Sequence, residues 1–136
     1  MNAQDEKAAA ESLLTDYANA LNAADAASIP AFYTQDGRFL PDGFKALTTA
    51  DLAKKSKSYL EKGQFHIRYS VQDIAVDGQF AFVEATAQTR STDAATGVES
   101  SQVSRDFFVL RREQGDWKIF RYIFNNAEEQ KTESNL

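Results

Sequence analysis

Ser104–Phe124 reads SRDFFVLRREQGDWKIFRYIF, and its reading decides the fold. Two apolar-rich runs flank Gln114-Gly115, the pattern of two long strands joined by a tight turn. Asp106 stands in one run and Arg121 in the other. Centring the turn on Gln114-Gly115 sets Arg112 opposite Trp117, Leu110 opposite Ile119 and Phe108 opposite Arg121. Asp106 then faces Ile123 and lies diagonal to Arg121 on one face, a separation of roughly 7–8 Å that an arginine spans. The two charges are either a structural ion pair or the equipment of a pocket.

Working outward, Val98–Arg112 is preceded by a loop at Thr92–Gly97 and a strand at Phe80–Ser91. Before that, Phe65, Ile67, Tyr69 and Val71 alternate with polar residues, and Asp77-Gly78 supplies a hairpin turn. Closing these hairpins symmetrically sets Phe82 opposite Phe108 and Glu84 opposite Asp106. The covered face would then hold Tyr69, Phe82, Phe108 and Trp117, with a polar row of Glu84, Asp106 and Arg121. The opposite face would carry Ala81, Val83, Ala85, Ala87, Phe107, Val109, Phe120 and Tyr122, an apolar surface suited to a homodimer. A one-residue bulge in any strand would exchange the faces beyond it.

The N-terminal half has a different period. Leu13, Leu14, Tyr17 and Leu21 form one stripe of an amphipathic helix over Ala8–Ala24. Asp25 or Ser28 caps a short second helix through Tyr33; a Ser28 cap places Pro30 in the first turn, where its missing N–H is harmless. Gln35-Asp36-Gly37 reads as a turn, Arg38-Phe39-Leu40 as a short extended piece and Pro41-Asp42-Gly43 as another turn. Thr48-Thr49-Ala50-Asp51 resembles a capping box opening a third helix, which runs to about Lys62 and stops at Gly63. Helices followed by an antiparallel meander make an α+β fold with the helices on one face of the sheet. A single domain over residues 1–126 and a polar tail at 127–136 are expected.

Composition narrows the function classes. The net charge is −5, which disfavours nucleic-acid and anionic-membrane surfaces. No apolar run approaches a membrane span, and MNAQDEKAAAES lacks the basic start and apolar centre of a leader, so a cytoplasmic location is expected. With no cysteine and one histidine, thiolate catalysis and Cys- or His-rich metal sites are excluded, and no metal or cofactor is expected. His66 falls out of phase with the apolar residues of its strand and reads as a surface or helix-facing residue. No phosphate-cradling glycine loop or nucleophile-elbow serine is present.

The segments LLTDYANALNAADAASIPAFYTQDGRFLPDG and RDFFVLRREQGDWKIFRYIF together resemble the nuclear transport factor 2-like superfamily, in particular its SnoaL-like and ketosteroid-isomerase-like branch. The resemblance spans nearly the whole chain and implies a cystatin-like cone: three N-terminal helices packed on a curved antiparallel sheet, a four-strand meander plus a short early strand, around an apolar pocket. It implies that Tyr17, in DYANALN, takes the place of the oxyanion-stabilising tyrosine, and that Asp106, in RDFF, takes that of a neutral aspartic acid. The place of the general base falls on Pro41, with Asp42 one residue later. An arginine beside Asp106 would keep it charged, a departure from that pattern. The cone places Phe39, Tyr69, Phe82, Phe108 and Trp117 as wall residues, with Arg121 and Glu84 as polar anchors. The expected ligand is a small, largely apolar molecule. Acid/base chemistry of the isomerase, cyclase or dehydratase kind is one reading; a non-catalytic dimeric association or carrier module with a structural Asp-Arg pair is the other.

Overall fold

The computed structural model describes residues 2–62 and 64–127. Helix α1 spans Ala3–Asn22 and starts earlier than the apolar stripe alone suggests. The Asn2 side chain caps it by accepting from the Asp5 N–H at 2.9 Å, and Asp5 and Glu6 complement the positive end of the helix. Its buried stripe is Ala10, Leu14 and Tyr17. The second helix is a 3₁₀ segment, Ala26–Phe32, which buries Ile29 and carries Pro30. Helix α2, Thr49–Lys62, opens with the reciprocal capping bonds foreseen: Asp51 N–H donates to Thr48 Oγ1 at 3.1 Å, and Thr48 N–H to Asp51 Oδ2 at 3.0 Å. The stop expected at Gly63 and the tail from residue 128 lie outside the described residues.

The sheet has six strands: β1 Tyr33–Leu40, β2 Leu47–Thr48, β3 His66–Asp77, β4 Phe80–Thr92, β5 Glu99–Glu113 and β6 Asp116–Ala127. Their spatial order is β2-β1-β6-β5-β4-β3. β3 to β6 form an antiparallel run, but β1 joins β6 in parallel, so the sheet is mixed and larger than a meander with one short strand. Asn22, at the end of α1, ties down edge strand β3 by bonding both the N–H and the C=O of Ile67, at 2.7 and 2.9 Å.

The turn expected at Gln35-Asp36-Gly37 is an irregularity inside β1, where pairing with β6 jumps from Tyr33↔Ile119 to Arg38↔Arg121. Gly37 is buried because backbone crowds it: a Cβ there would lie 2.9 Å from the carbonyl oxygens of both Ile119 and Thr34. The glycine marks a close approach rather than a turn. Gly37→Ala should therefore destabilise the protein by about 1–3 kcal/mol, measurable by chemical denaturation.

Register decides what faces the core. The β5–β6 turn is as read, with Gln114 and Gly115 both at positive φ, Arg112 opposite Trp117 and Leu110 opposite Ile119. A bulge at Phe120 then shifts the ladder, so Phe108 faces Tyr122 and Asp106 faces Phe124. A second bulge between Val71 and Asp73 and a β3–β4 turn over Gly78-Gln79 alter the other hairpin. The β4–β5 ladder runs unbroken from its closure at Thr92↔Glu99, so Val83 faces Phe108, and Ala85 faces Asp106, in place of Phe82 and Glu84.

The inward residues of β4 are consequently Ala81, Val83, Ala85 and Ala87, all buried, and Tyr122 is inward too. Small side chains on β4 leave interior room that the rings of Phe108 and Tyr122 fill. Phe82, Phe107 and Ile123 lie on the outer face, 37%, 38% and 46% exposed. Among the described residues no helix is long and apolar enough to cross a membrane.

Candidate active site

Strand β5 directs Ser104, Asp106 and Phe108 to the interior by simple alternation, and all three are buried. Asp106 is 4% exposed and accepts two hydrogen bonds, from Ser104 Oγ at 2.6 Å and from the Tyr122 hydroxyl. The Tyr122 hydroxyl also lies 2.8 Å from that of Tyr69. Since the Tyr122 proton goes to Asp106, the Tyr69 hydroxyl is the donor to Tyr122. The result is a directed chain, Tyr69 to Tyr122 to Asp106, drawn from three strands.

A second pair sits close by. The hydroxyls of Tyr17 on α1 and Tyr33 at the start of β1 are 2.8 Å apart. Only one proton can lie between them, so the other hydroxyl keeps a proton with no acceptor among the described residues. The rings of Tyr17 and Tyr122 meet edge to face, with centroids 6.2 Å apart, which brings the two hydroxyl groups into one cluster. Phe108 stacks on Tyr122 at 4.0 Å, while Phe39 and Phe124 flank Tyr122 at 5.1 and 6.1 Å.

The electrostatics follow from burial. Removal from water raises the Asp106 pKa above the ordinary carboxylate value, and the bonds from Ser104 and Tyr122 offset only part of that rise. No cation pairs with Asp106 among the described residues. Desolvation likewise pushes the phenols of Tyr17, Tyr33, Tyr69 and Tyr122 up, so they act as neutral donors.

The expected Asp106–Arg121 pair is not formed, because the bulge at Phe120 turns Arg121 away. Its guanidinium donates to the carbonyls of Asp36 and Phe120, at 3.0 and 2.8 Å, and lies 3.9 Å over the Phe120 ring. Glu84 and Phe82 face outward for the register reason given above. Trp117 is buried at the hairpin end, where its Nε1 donates to the Glu6 carbonyl at 3.2 Å and Arg112 stacks over its ring at 4.2 Å. Asp42 is exposed, and its carboxylate accepts from the Asn126 N–H at 3.0 Å, pinning its loop to the end of β6.

The structure thus brings together Tyr17, Phe39, Tyr69, Phe108 and Asp106, turns Arg121, Glu84 and Phe82 away from them, sets Trp117 at the hairpin end and engages Asp42 with the backbone of Asn126. Reading from sequence missed Ser104, Tyr122 and Tyr33. Ser104 was recoverable, being two residues before Asp106 on the same strand face. Tyr122 faces inward because of the bulge, and Tyr33 lies where the 3₁₀ helix passes into β1, a junction without a periodicity to fix its facing. Among the described residues no group of three acidic or histidine side chains is placed to hold a metal.

Three helices and a six-strand mixed sheet around a buried acid and a set of phenols make an α+β domain of the nuclear transport factor 2-like kind. Residues 14–122 match the SnoaL-like domain, and the chain belongs to that family. No curated protein matches it. Among solved structures it is similar to a ketosteroid isomerase-like protein from Erwinia carotovora atroseptica, with 28% identity over 90% of this chain and 96% of that one, at a TM-score of 0.79. A proposed scytalone dehydratase from Novosphingobium aromaticivorans aligns at 17% identity and TM-score 0.82, covering 92% of this chain and 86% of the other. A proposed calcium/calmodulin dependent protein kinase II association domain from Xanthomonas campestris aligns at 19% identity and TM-score 0.73, covering 89% and 87%. Catalytic and association names thus occur on one fold, which leaves function to the site.

Proposed function

We propose that the chain binds a small, largely apolar molecule against the Asp106 cluster and moves a proton on it, in an isomerisation, cyclisation or dehydration that uses no cofactor. The observation that carries this reading is a buried carboxylate with hydroxyl donors and, among the described residues, no cation paired with it. Such a group exchanges a proton nearer neutral pH than an exposed aspartate does.

The two protonation states of Asp106 have different consequences for a ligand. With Asp106 ionised, the hydroxyl protons of Ser104, Tyr122 and Tyr69 are all consumed within the chain. With Asp106 protonated, the chain reverses: Asp106 donates to Tyr122, Tyr122 donates to Tyr69, and the Tyr69 hydroxyl is released to donate elsewhere. Taking a proton from the ligand thus readies a donor for the negative charge left on it, and the spare Tyr17/Tyr33 proton adds a second. Phe39, Phe108 and Phe124 surround Tyr122 with apolar rings. Asp42 is assigned to holding its loop, since its carboxylate is engaged there.

A thermal-shift panel of phenols, aromatic ketones, steroids and small carboxylates tests the reading. A ligand at 100 times its dissociation constant adds about 2.7 kcal/mol of stability. One chemical class should raise the melting temperature of the wild type and not that of Tyr69→Phe. Equal shifts in both proteins would remove the hydroxyl chain from the binding site.

The outer face favours an additional role in assembly. Phe82 lies opposite Val109, and Phe107 opposite Ile123, which makes one exposed apolar patch. We propose that it forms a homodimer through this face. Sedimentation at micromolar concentration should show a dimer for the wild type and a monomer for Phe107→Glu; a monomeric wild type refutes the assignment.

A further inference from the structure

At the far end of the sheet, His66, Arg68, Gln88, Arg90 and Ser101 of the outer face and Gln102 of the inner face are among the residues that line an open cleft of about 870 Å³. The pairing register explains why the cations gather there. His66 is directly opposite Arg90, and Arg68 is opposite Gln88, so the two arginines are diagonal neighbours on the same face, roughly 7–8 Å apart at their base. Arg105, opposite Thr86 in the next row, points the same way.

Arg111, Arg112 and Arg121 each bond an oxygen of another residue, Asp36, Glu6 and the Asp36 carbonyl respectively. Arg68, Arg90 and Arg105 bond none among the described residues, and neither does Arg38 on β1. Carboxylates stand nearby on the same face, Glu84 diagonal to Arg105 and Glu99 diagonal to Arg90, yet neither closes a salt bridge. Gathering like charges costs stability, and a chain of net charge −5 has acidic residues with which to disperse them. A local rule broken without a structural return marks a place used for binding.

We propose that this cleft is an anion site, separate from the Asp106 cluster, that takes a phosphate monoester on a hydroxylated body. Each guanidinium presents a planar fork that matches two phosphate oxygens, and two such forks suit a dianion better than a monocarboxylate. Gln88, Gln102 and Ser101 offer uncharged donors and acceptors for hydroxyl groups beside it.

Amide NMR of the full chain, titrated with inorganic phosphate and with glucose 6-phosphate, tests this against sodium chloride at matched ionic strength. Saturable shifts are expected at Gln88, Arg90, Ser101 and Gln102 with both phosphates, and tighter with the sugar phosphate. The double substitution Arg68→Gln/Arg90→Gln should weaken binding by at least about tenfold. Lys54→Gln/Lys55→Gln, which removes the same charge from the exposed face of α2, should leave it unchanged. Shifts equal to those from sodium chloride, or binding that survives loss of both arginines, overturn the proposal; the variant's own spectrum reports whether it is folded.

Discussion

Asp106→Asn is expected to raise the melting temperature at neutral pH while lowering any proton-transfer activity by about 10²–10⁴-fold. The two effects have one origin. Burial raises the Asp106 pKa in the folded chain, so the ionised carboxylate is held at a cost that the amide avoids. A raised folded pKa contributes stability that is fully present below the ordinary carboxylate value and is lost as pH rises through the folded value. The stability gap between variant and wild type should therefore be small in acid, open as pH rises past the ordinary carboxylate range, and level off above the raised folded value. Asp36 behaves oppositely: Arg111 and then Thr34 hold its carboxyl down to about 2, but it acts equally in both proteins and cancels. Thermal denaturation from about pH 3 to pH 8 reads the gap directly. An amide variant less stable than the wild type throughout would mean that Asp106 is structural.

Phe108→Ala should be among the most damaging single changes, costing about 3–5 kcal/mol in chemical denaturation and roughly 10–20 °C in melting temperature. Phe108 is fully buried, faces Val83 and Tyr122 from neighbouring strands, stacks on Tyr122 at 4.0 Å and meets Tyr69 edge to face at 5.5 Å. Nothing on β4 can fill the space, since its inward residues there are valine and alanine. Truncation also removes the surface that orients Tyr122, so ligand-dependent stabilisation should be lost even under conditions where the variant remains folded. A cost below about 1 kcal/mol would show that the ring does not organise the core.

What the sequence made legible was whatever a local rule decides. The Thr48–Asp51 capping box, the Leu14–Tyr17 stripe and the Gln114-Gly115 turn each depend on neighbours within a few residues, and each formed as read. Asp106 could be placed inward because Phe108 and Leu110 share its parity on one strand. The remainder of the site depended on the bulge at Phe120 and on the closure of the β4–β5 ladder at Thr92↔Glu99, neither of which carries a local signature here. That is why Arg121 was expected beside Asp106 where Tyr122 stands, and Glu84 where Ala85 stands. On β4 the larger residues, Phe80 and Phe82, drew the core assignment, whereas the curved interior takes the alanines. The exchange of an arginine for a tyrosine changes the chemistry: a salt-bridged aspartate becomes a desolvated one held by phenols.

The most direct measurement is a carbon-13 NMR titration of the Asp106 side-chain carboxyl. The expected midpoint lies above the ordinary carboxylate range in the wild type and higher still in Tyr122→Phe, which removes a hydrogen bond that favours the ionised form. A midpoint at or below the ordinary value would contradict the assignment of Asp106 as a desolvated proton-exchanging group, and would return it to the role of a paired, permanently charged structural residue.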